Sequence, residues 1–185
     1  MKTLVQKSIV SIASTIILTL SMFNYQVKAA SFDETEVDQN RVTAIAVPRL
    51  SGGYQLLILE QLSDLKQCWS ETGSRPTIVD PLLLEFDFTG ICGRATDSNG
   101  YSIRMGGTDL GLIYTLSVQT NGSEVLLVAS SIVRGNPIII GKTYGMSNGF
   151  MKIILEPGWR LTKRTYQGKV LGHFYFTSNQ APPNT

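Results

Sequence analysis

The run Leu110-Gly111-Leu112-Ile113-Tyr114-Thr115-Leu116-Ser117-Val118, the dipeptide Asn121-Gly122 and the run Val125-Leu126-Leu127-Val128-Ala129-Ser130 together set the fold class. Leu110, Leu112, Tyr114, Leu116 and Val118 alternate with other residues, so one side meets a core and the other faces water, the mark of a half-buried strand. Asn121-Gly122 between two such runs predicts a β-hairpin. A type I′ turn needs positive φ at both central residues, and this pair tolerates it.

The same grammar extends in both directions. Tyr101-Ser102-Ile103-Arg104-Met105 alternates, and Leu82, Leu84, Phe86 and Phe88 share a face opposite Glu85 and Asp87. Gln167-Gly168 separates Trp159–Tyr166 from Val170–Thr177 as a second hairpin turn. Further strands are expected at Val42–Val47, Tyr54–Glu60, Pro137–Gly141 and Phe150–Leu155, and Leu57–Lys66 is the one place for a short helix. About nine strands without repeating βα spacing predict a single all-β domain, an antiparallel sandwich or distorted barrel, over residues 30–177. The tail Ser178–Thr185 has nothing to bury and is expected to be disordered.

The N-terminus has two lysines, an apolar run from Ile9 to Phe23 and small residues at Val27 and Ala29. These are the parts of a secretory signal peptide over residues 1–29. The run is short for a membrane span and is diluted by Ser11, Ser14, Thr15, Thr19 and Ser21, so no span is expected after cleavage. Removal of Lys2, Lys7 and Lys28 from the sixteen basic residues leaves thirteen against fourteen acidic, about −1 in place of the formal +2. The basic balance that would favour a nucleic-acid partner then disappears. Export also bears on Cys68 and Cys92, the only cysteines. An oxidising compartment pairs them, closing a loop that stabilises the fold by roughly 3 kcal/mol.

Chemistry-bearing motifs are few. Gly145-Met146-Ser147-Asn148-Gly149 fits the nucleophile elbow G-x-S-x-G, with Glu156 and His173 in triad order. That elbow needs a strand before it, a helix after it and a parallel sheet, and here another strand follows. A glycine-rich turn is the expectation. His173 is the only histidine and has no marked partner for acid–base or nucleophilic work. One histidine and a paired cysteine couple leave no ordinary metal site, and nothing calls for a cofactor. Asp87, Asp97 and Asp109 flank the cysteine loop, with Arg94 and Arg104 near enough in sequence to pair with them. Asp87 and Asp97 would serve glycan hydrolysis if they shared a cleft. Aspartate near glycine is otherwise an ordinary turn former.

The cations concentrate late. Pro157-Gly158-Trp159-Arg160-Leu161-Thr162-Lys163-Arg164-Thr165-Tyr166-Gln167-Gly168-Lys169 mixes basic and aromatic residues, whereas Asp33, Glu34, Glu36 and Asp38 make an acidic start. Alternation puts Arg160, Thr162, Arg164 and Tyr166 on one face and Trp159, Leu161, Lys163 and Thr165 on the other. Arg160, Lys163, Arg164, Tyr166 and Lys169 are therefore the candidate ligand-binding residues, since arginine recognises acidic groups in bidentate fashion and aromatic rings stack on sugars.

Two long stretches carry a family resemblance. One runs from Cys68-Trp69-Ser70-Glu71 through Val79-Asp80-Pro81-Leu82-Leu83 and Phe86-Asp87-Phe88-Thr89-Gly90-Ile91-Cys92-Gly93-Arg94 to Thr96-Asp97-Ser98-Asn99-Gly100-Tyr101. The other holds Glu156-Pro157-Gly158-Trp159-Arg160, Thr162-Lys163-Arg164-Thr165-Tyr166-Gln167-Gly168 and Leu171-Gly172-His173. The chain resembles, from about Phe32 to Phe176, an exported cyanobacterial family known only as a domain of unknown function. The resemblance implies an envelope or extracellular setting and brings no activity with it. The expectation is a non-catalytic exported domain, periplasmic or extracellular, that binds an acidic polysaccharide or a surface protein. The alternative is an envelope glycan hydrolase.

Overall fold

A computed structural model describes residues 31–133 and 135–183, and the expected signal peptide lies outside them. Among the described residues fifteen strands follow one another: β1 Asp33–Glu36, β2 Val42–Pro48, β3 Tyr54–Gln61, β4 Trp69–Thr72, β5 Ile78–Pro81, β6 Cys92–Ala95, β7 Tyr101–Met105, β8 Thr108–Asp109, β9 Tyr114–Thr120, β10 Val125–Ser131, β11 Ile138–Lys142, β12 Met151–Lys152, β13 Ile154–Leu155, β14 Trp159–Tyr166 and β15 Lys169–Ser178. A single 3-10 turn, Gln39–Arg41, precedes β2. The strands form three curled sheets, ordered β1-β14-β15-β7-β8, β13-β11-β10-β9 and β4-β5-β12-β2-β3-β6. The fold is all-β, as the alternation predicts. Nearly all pairings are antiparallel, but β7 runs parallel to β15, with Ser102 opposite Tyr175.

Two cores explain the burial. Ile58 and Ala46 from the third sheet, Phe176 and Leu161 from the first and Leu127 and Ile140 from the second meet in the main core. On the other face of the third sheet Ile45, Val47 and Leu59 pack with Val79, Leu83 and the cysteines. Strands β2 and β3 are therefore buried on both faces, which is why Val42–Val47 and Leu56–Leu59 read as near-continuous apolar runs. The Cys68–Cys92 disulfide, with Cα atoms 5.8 Å apart, staples the outer loop over that second face.

Segment 151–155 turns a corner between sheets. Met151 and Lys152 pair with Ala46 and Ile45 of β2, and Ile154 and Leu155 then pair with β11. Gly141 permits the crossing, because a Cβ there would stand 2.7 Å from the carbonyl oxygen of Ile154.

Several local expectations change. Leu57–Lys66 is not helical; its first half completes β3. The Leu82–Phe88 alternation forms turns instead of a strand, closed by Glu85 N–H to Leu82 O, and the buried residue is Leu83 while Leu84 is exposed. Leu110–Ile113 is likewise a turn, so the first strand of the central hairpin begins at Tyr114. Asn121-Gly122 lies inside a four-residue loop between Thr120 and Val125. The Asn121 Oδ1 there accepts from the amides of Ser123 and Glu124, an Asx turn in place of type I′. The two-residue turn with positive φ at both positions occurs at Gln167 and Gly168. Strand β15 extends one residue past the expected boundary, to a buried Ser178.

The disulfide yields a test. Unreduced native protein should show no free thiol. The Cys68→Ala/Cys92→Ala variant should lose about 3 kcal/mol in denaturant unfolding, with hydrogen exchange rising first in residues 62–91. Exchange rising equally in β14 and β15 would show that the disulfide does not act locally.

Candidate functional site

The outer face of the first sheet carries a polar network. In β14, alternation sends Leu161 into the main core and Thr162 and Arg164 outward. In β15, Phe174 and Phe176 go inward, and His173, Tyr175 and Thr177 go outward. Ser102 and Arg104 of β7 join them because of the parallel register. Arg164 Nε donates to the Tyr175 hydroxyl at 2.5 Å, Arg164 Nη2 donates to Asp109 Oδ2 at 2.8 Å, and Tyr175 donates to the same oxygen at 2.7 Å. The Arg164 guanidinium lies between the rings of Phe32 and Tyr175, with centroids 4.6 and 4.9 Å away. Glu34 of β1 accepts from the hydroxyls of Thr162 and Thr177 and faces Arg104 at 3.6 Å.

The partner that the sequence did not mark for His173 is Ser102. Nδ1 lies 2.8 Å from the carbonyl oxygen of Asn99, which only accepts, so Nδ1 carries the proton. Nε2 then accepts from the Ser102 hydroxyl, also at 2.8 Å. Arg164 Nη2 stands 3.5 Å from the same hydroxyl. Burial and the Arg164 charge lower the histidine pKa, against the Asn99 carbonyl and Asp109, which raise it. For Asp109, burial raises the pKa, but the Tyr175 hydroxyl, the Gly111 amide, Arg164 and His173 together hold it below the usual carboxylate range. Tyr175 is pushed up to about 12 by burial and the Asp109 carboxylate. Sequence separation hid this pair, since Ser102 and His173 are 71 residues apart.

The expected ligand-binding residues do not form one free cationic patch. Arg160 pairs with Glu36 at 2.7 Å and donates to Asn179. Lys163 points to the opposite face, bound to Glu60 at 2.6 Å over the ring of Phe174. Arg164 is engaged as above. Tyr166 lies against Phe32 at the hairpin end, and Lys169 is exposed. The acidic start accounts for Arg160 alone, because β1 lies antiparallel on β14 and brings Glu36 to it, whereas the partners of Lys163 and Arg164 come from β3 and β8. Asp87 and Asp97 are exposed and cap their own turns, accepting from the amides of Thr89 and Asn99. The amide and side chain of Thr89 lower the Asp87 pKa, which does not suit a general acid. Asp109 pairs with Arg164, while Arg94 stacks on Phe88 and Arg104 faces Glu34. Ser147 bonds the amide of Gly149 within a turn.

A second feature is concave. Where segment 151–155 departs from β2, a groove of about 270 Å³ opens between the start of β2, β13 and the start of β14. Trp159, Thr43, Lys152 and Arg160 line it. The Gln39 side chain holds one border by bonding both the amide and the carbonyl of Leu161. Lys152 is held by both carboxylate oxygens of Glu71 at 2.9 Å, and Glu71 also accepts from the Trp69 indole. Thr43 is buried, and its hydroxyl has no hydrogen-bond partner among the described residues.

His173 gives a pH test with a defined sign. Its folded pKa is depressed below 6.5. As pH falls through 6.5 the unfolded chain therefore binds a proton before the folded one, and stability drops. Stability should fall between pH 7.5 and 5.5 in the wild type, and His173→Gln should flatten that slope. The Asp109 contribution is lost only as pH falls below 3.8. An equal slope in both proteins would refute a neutral, buried His173.

No curated protein and no solved structure matches this chain. The family of proteins of unknown function DUF3747 matches residues 8–181, nearly its whole length, and the chain belongs to that family.

Proposed function

We propose that this chain is an exported cyanobacterial protein that works without catalysis in the cell envelope or extracellular matrix, binding an acidic polysaccharide or a surface protein. The observation that carries the reading is the meeting of an aromatic and a cationic side chain at the concave start of β14, where Trp159 and Arg160 border a groove. A paired Cys68–Cys92 fits an oxidising compartment, and the N-terminal pattern fits export. Three of the four hairpin cations, Arg160, Lys163 and Arg164, are held by Glu36, Glu60 and Asp109. Contact with a polymer therefore rests on shape, stacking and hydrogen bonding more than on net charge.

One observation favours a second reading, an acyl hydrolase. Ser102 directs its proton at a neutral, oriented His173, the starting geometry of a serine nucleophile. A fluorophosphonate probe separates the two. Labelling of the wild type that Ser102→Ala abolishes would establish the hydrolase, and the binding reading expects none.

The binding role is tested by co-sedimenting the protein with purified sacculi and acidic exopolysaccharide at low and high salt. Binding to at least one polymer is expected, with a loss of only a few-fold in high salt because three of the four hairpin cations are internally paired. No binding at either salt would retire the reading.

A further inference from the structure

We infer that Asn121 is a self-modification site. The amide nitrogen of Gly122 closes on the Asn121 side chain and expels ammonia, and water then leaves aspartate or isoaspartate at the tip of the β9–β10 hairpin. The inference is independent of the polymer-binding reading, since its only reactants are this chain and water.

Three Asn-Gly dipeptides stand in the sequence, at Asn99, Asn121 and Asn148. In each, the following residue has no side chain to obstruct its own nitrogen, and all three asparagines are exposed. Their surroundings rank them. In the step itself the Gly122 nitrogen gives its proton to hydroxide and attacks Asn121 Cγ, so negative charge gathers on Oδ1. The Cγ–Nδ2 bond then breaks, the carbonyl re-forms, and the departing nitrogen takes a proton from water to leave as ammonia. Water opens the resulting cyclic imide at either carbonyl, and no oxidant or reductant takes part.

The fold acts on Oδ1. That oxygen accepts from the Ser123 amide, the Ser123 hydroxyl and the Glu124 amide, each at 3.0 Å. Donors aimed at an oxygen that gains charge are what an oxyanion hole supplies, and here the main chain of the loop provides two of them ready-placed. Every hydrogen bond of this side chain among the described residues is made at Oδ1, so nothing holds the departing nitrogen. A Cβ at Gly122 would meet no atom within 4 Å, so water and hydroxide reach the nucleophile.

The other two dipeptides supply the comparison. Gly149 donates to the Ser147 hydroxyl at 3.1 Å, much as Gly122 donates to the Thr120 hydroxyl at 3.0 Å. The two nucleophiles are therefore matched, and the sites differ at the side-chain oxygen, which at Asn148 has no donor among the described residues. At Asn99 the turn is locked. The Gly100 amide is held by the Asp97 carbonyl at 2.8 Å, the Asn99 carbonyl lies against His173, and Gly100 packs so closely on Ala95 that a Cβ would stand 2.7 Å from it. The expected order is Asn121, then Asn148, then Asn99. The products also differ. Aspartate keeps an oxygen for the Ser123 and Glu124 amides, with charge to strengthen both bonds. Isoaspartate adds a methylene to the main chain between Thr120 and Val125, which face each other across the hairpin.

The test ages the purified protein in neutral buffer made with heavy-oxygen water, which labels each side chain that deamidates. Peptide maps follow the three sites in the native state and in denaturant, and dividing each native rate by the denatured rate of the same site cancels the local sequence. That ratio should be about threefold to tenfold larger at Asn121 than at Asn148, and smallest at Asn99. Ser123→Ala removes the hydroxyl donor and should slow Asn121 by about twofold to tenfold, the effect of one hydrogen bond, while Asn148 keeps its rate. A loop merely loosened by the substitution would react faster, so the sign separates a lost donor from a disturbed turn. A native ratio at Asn121 no larger than at Asn148 would overturn the assignment, and so would an unchanged or higher rate in Ser123→Ala.

Discussion

The acidic strand Asp33–Glu36 lies in register on the cationic strand Trp159–Tyr166, and much of the remaining structure depends on that pairing. Without it, β14 would be an open edge carrying Arg160 uncompensated. With it, Glu36 meets Arg160, while Glu34 bridges Thr162 and Thr177 and faces Arg104. The chain then turns through Gln39, whose side chain bonds both main-chain groups of Leu161 and fixes where β2 begins. From there β2 enters the centre of the third sheet, buried on both faces. The groove lies at the junction, bounded by the first residues of β2 and of β14.

This arrangement changes what the basic hairpin can do. Seven cations against one acid between Arg134 and Lys169 read in sequence as a positive surface. In three dimensions Lys163 passes to the other face and pairs with Glu60, and Lys142 pairs with Glu156. Paired charges cancel beyond about a Debye length, so they orient a ligand at contact without attracting it from a distance. Recognition by such a surface falls to shape and directed bonds.

The legible part of the fold was the part set by local periodicity. Trp159–Tyr166 followed a clean two-residue period and formed a strand with those bounds, with Leu161 in the core and Arg164 outside. Leu82–Phe88 had the same period and made turns, because the disulfide pulls that segment onto the third sheet as a cover. The turn chemistry split in a similar way. Asn121 used its side-chain oxygen to cap two amides, so a four-residue loop won over the two-residue turn that positive φ would have given. The polar network was illegible for a different reason. It needs the parallel pairing of β7 with β15, a long-range register that no local pattern encodes. The groove was missed because it opens where segment 151–155 leaves β2 for β11, a crossing between sheets that no local pattern encodes.

The Ser102–His173 pair shows how far geometry carries without electrostatics. A serine nucleophile needs its histidine to accept the hydroxyl proton and hold the imidazolium that results. Here burial opposes that charge first, and Arg164, 3.5 Å from the serine hydroxyl, opposes it further. Asp109 favours it, yet its Oδ2 already receives bonds from Arg164 and Tyr175. The acceptor opposite Nδ1 is a neutral carbonyl, where a carboxylate would have stabilised the cation more strongly. Both ring nitrogens are satisfied by the fold itself, one closing the turn at Asn99 and the other tying β15 to β7. A histidine in that position holds two strands together better than it shuttles protons, and for that reason the groove at Trp159 is the better place to look for a ligand.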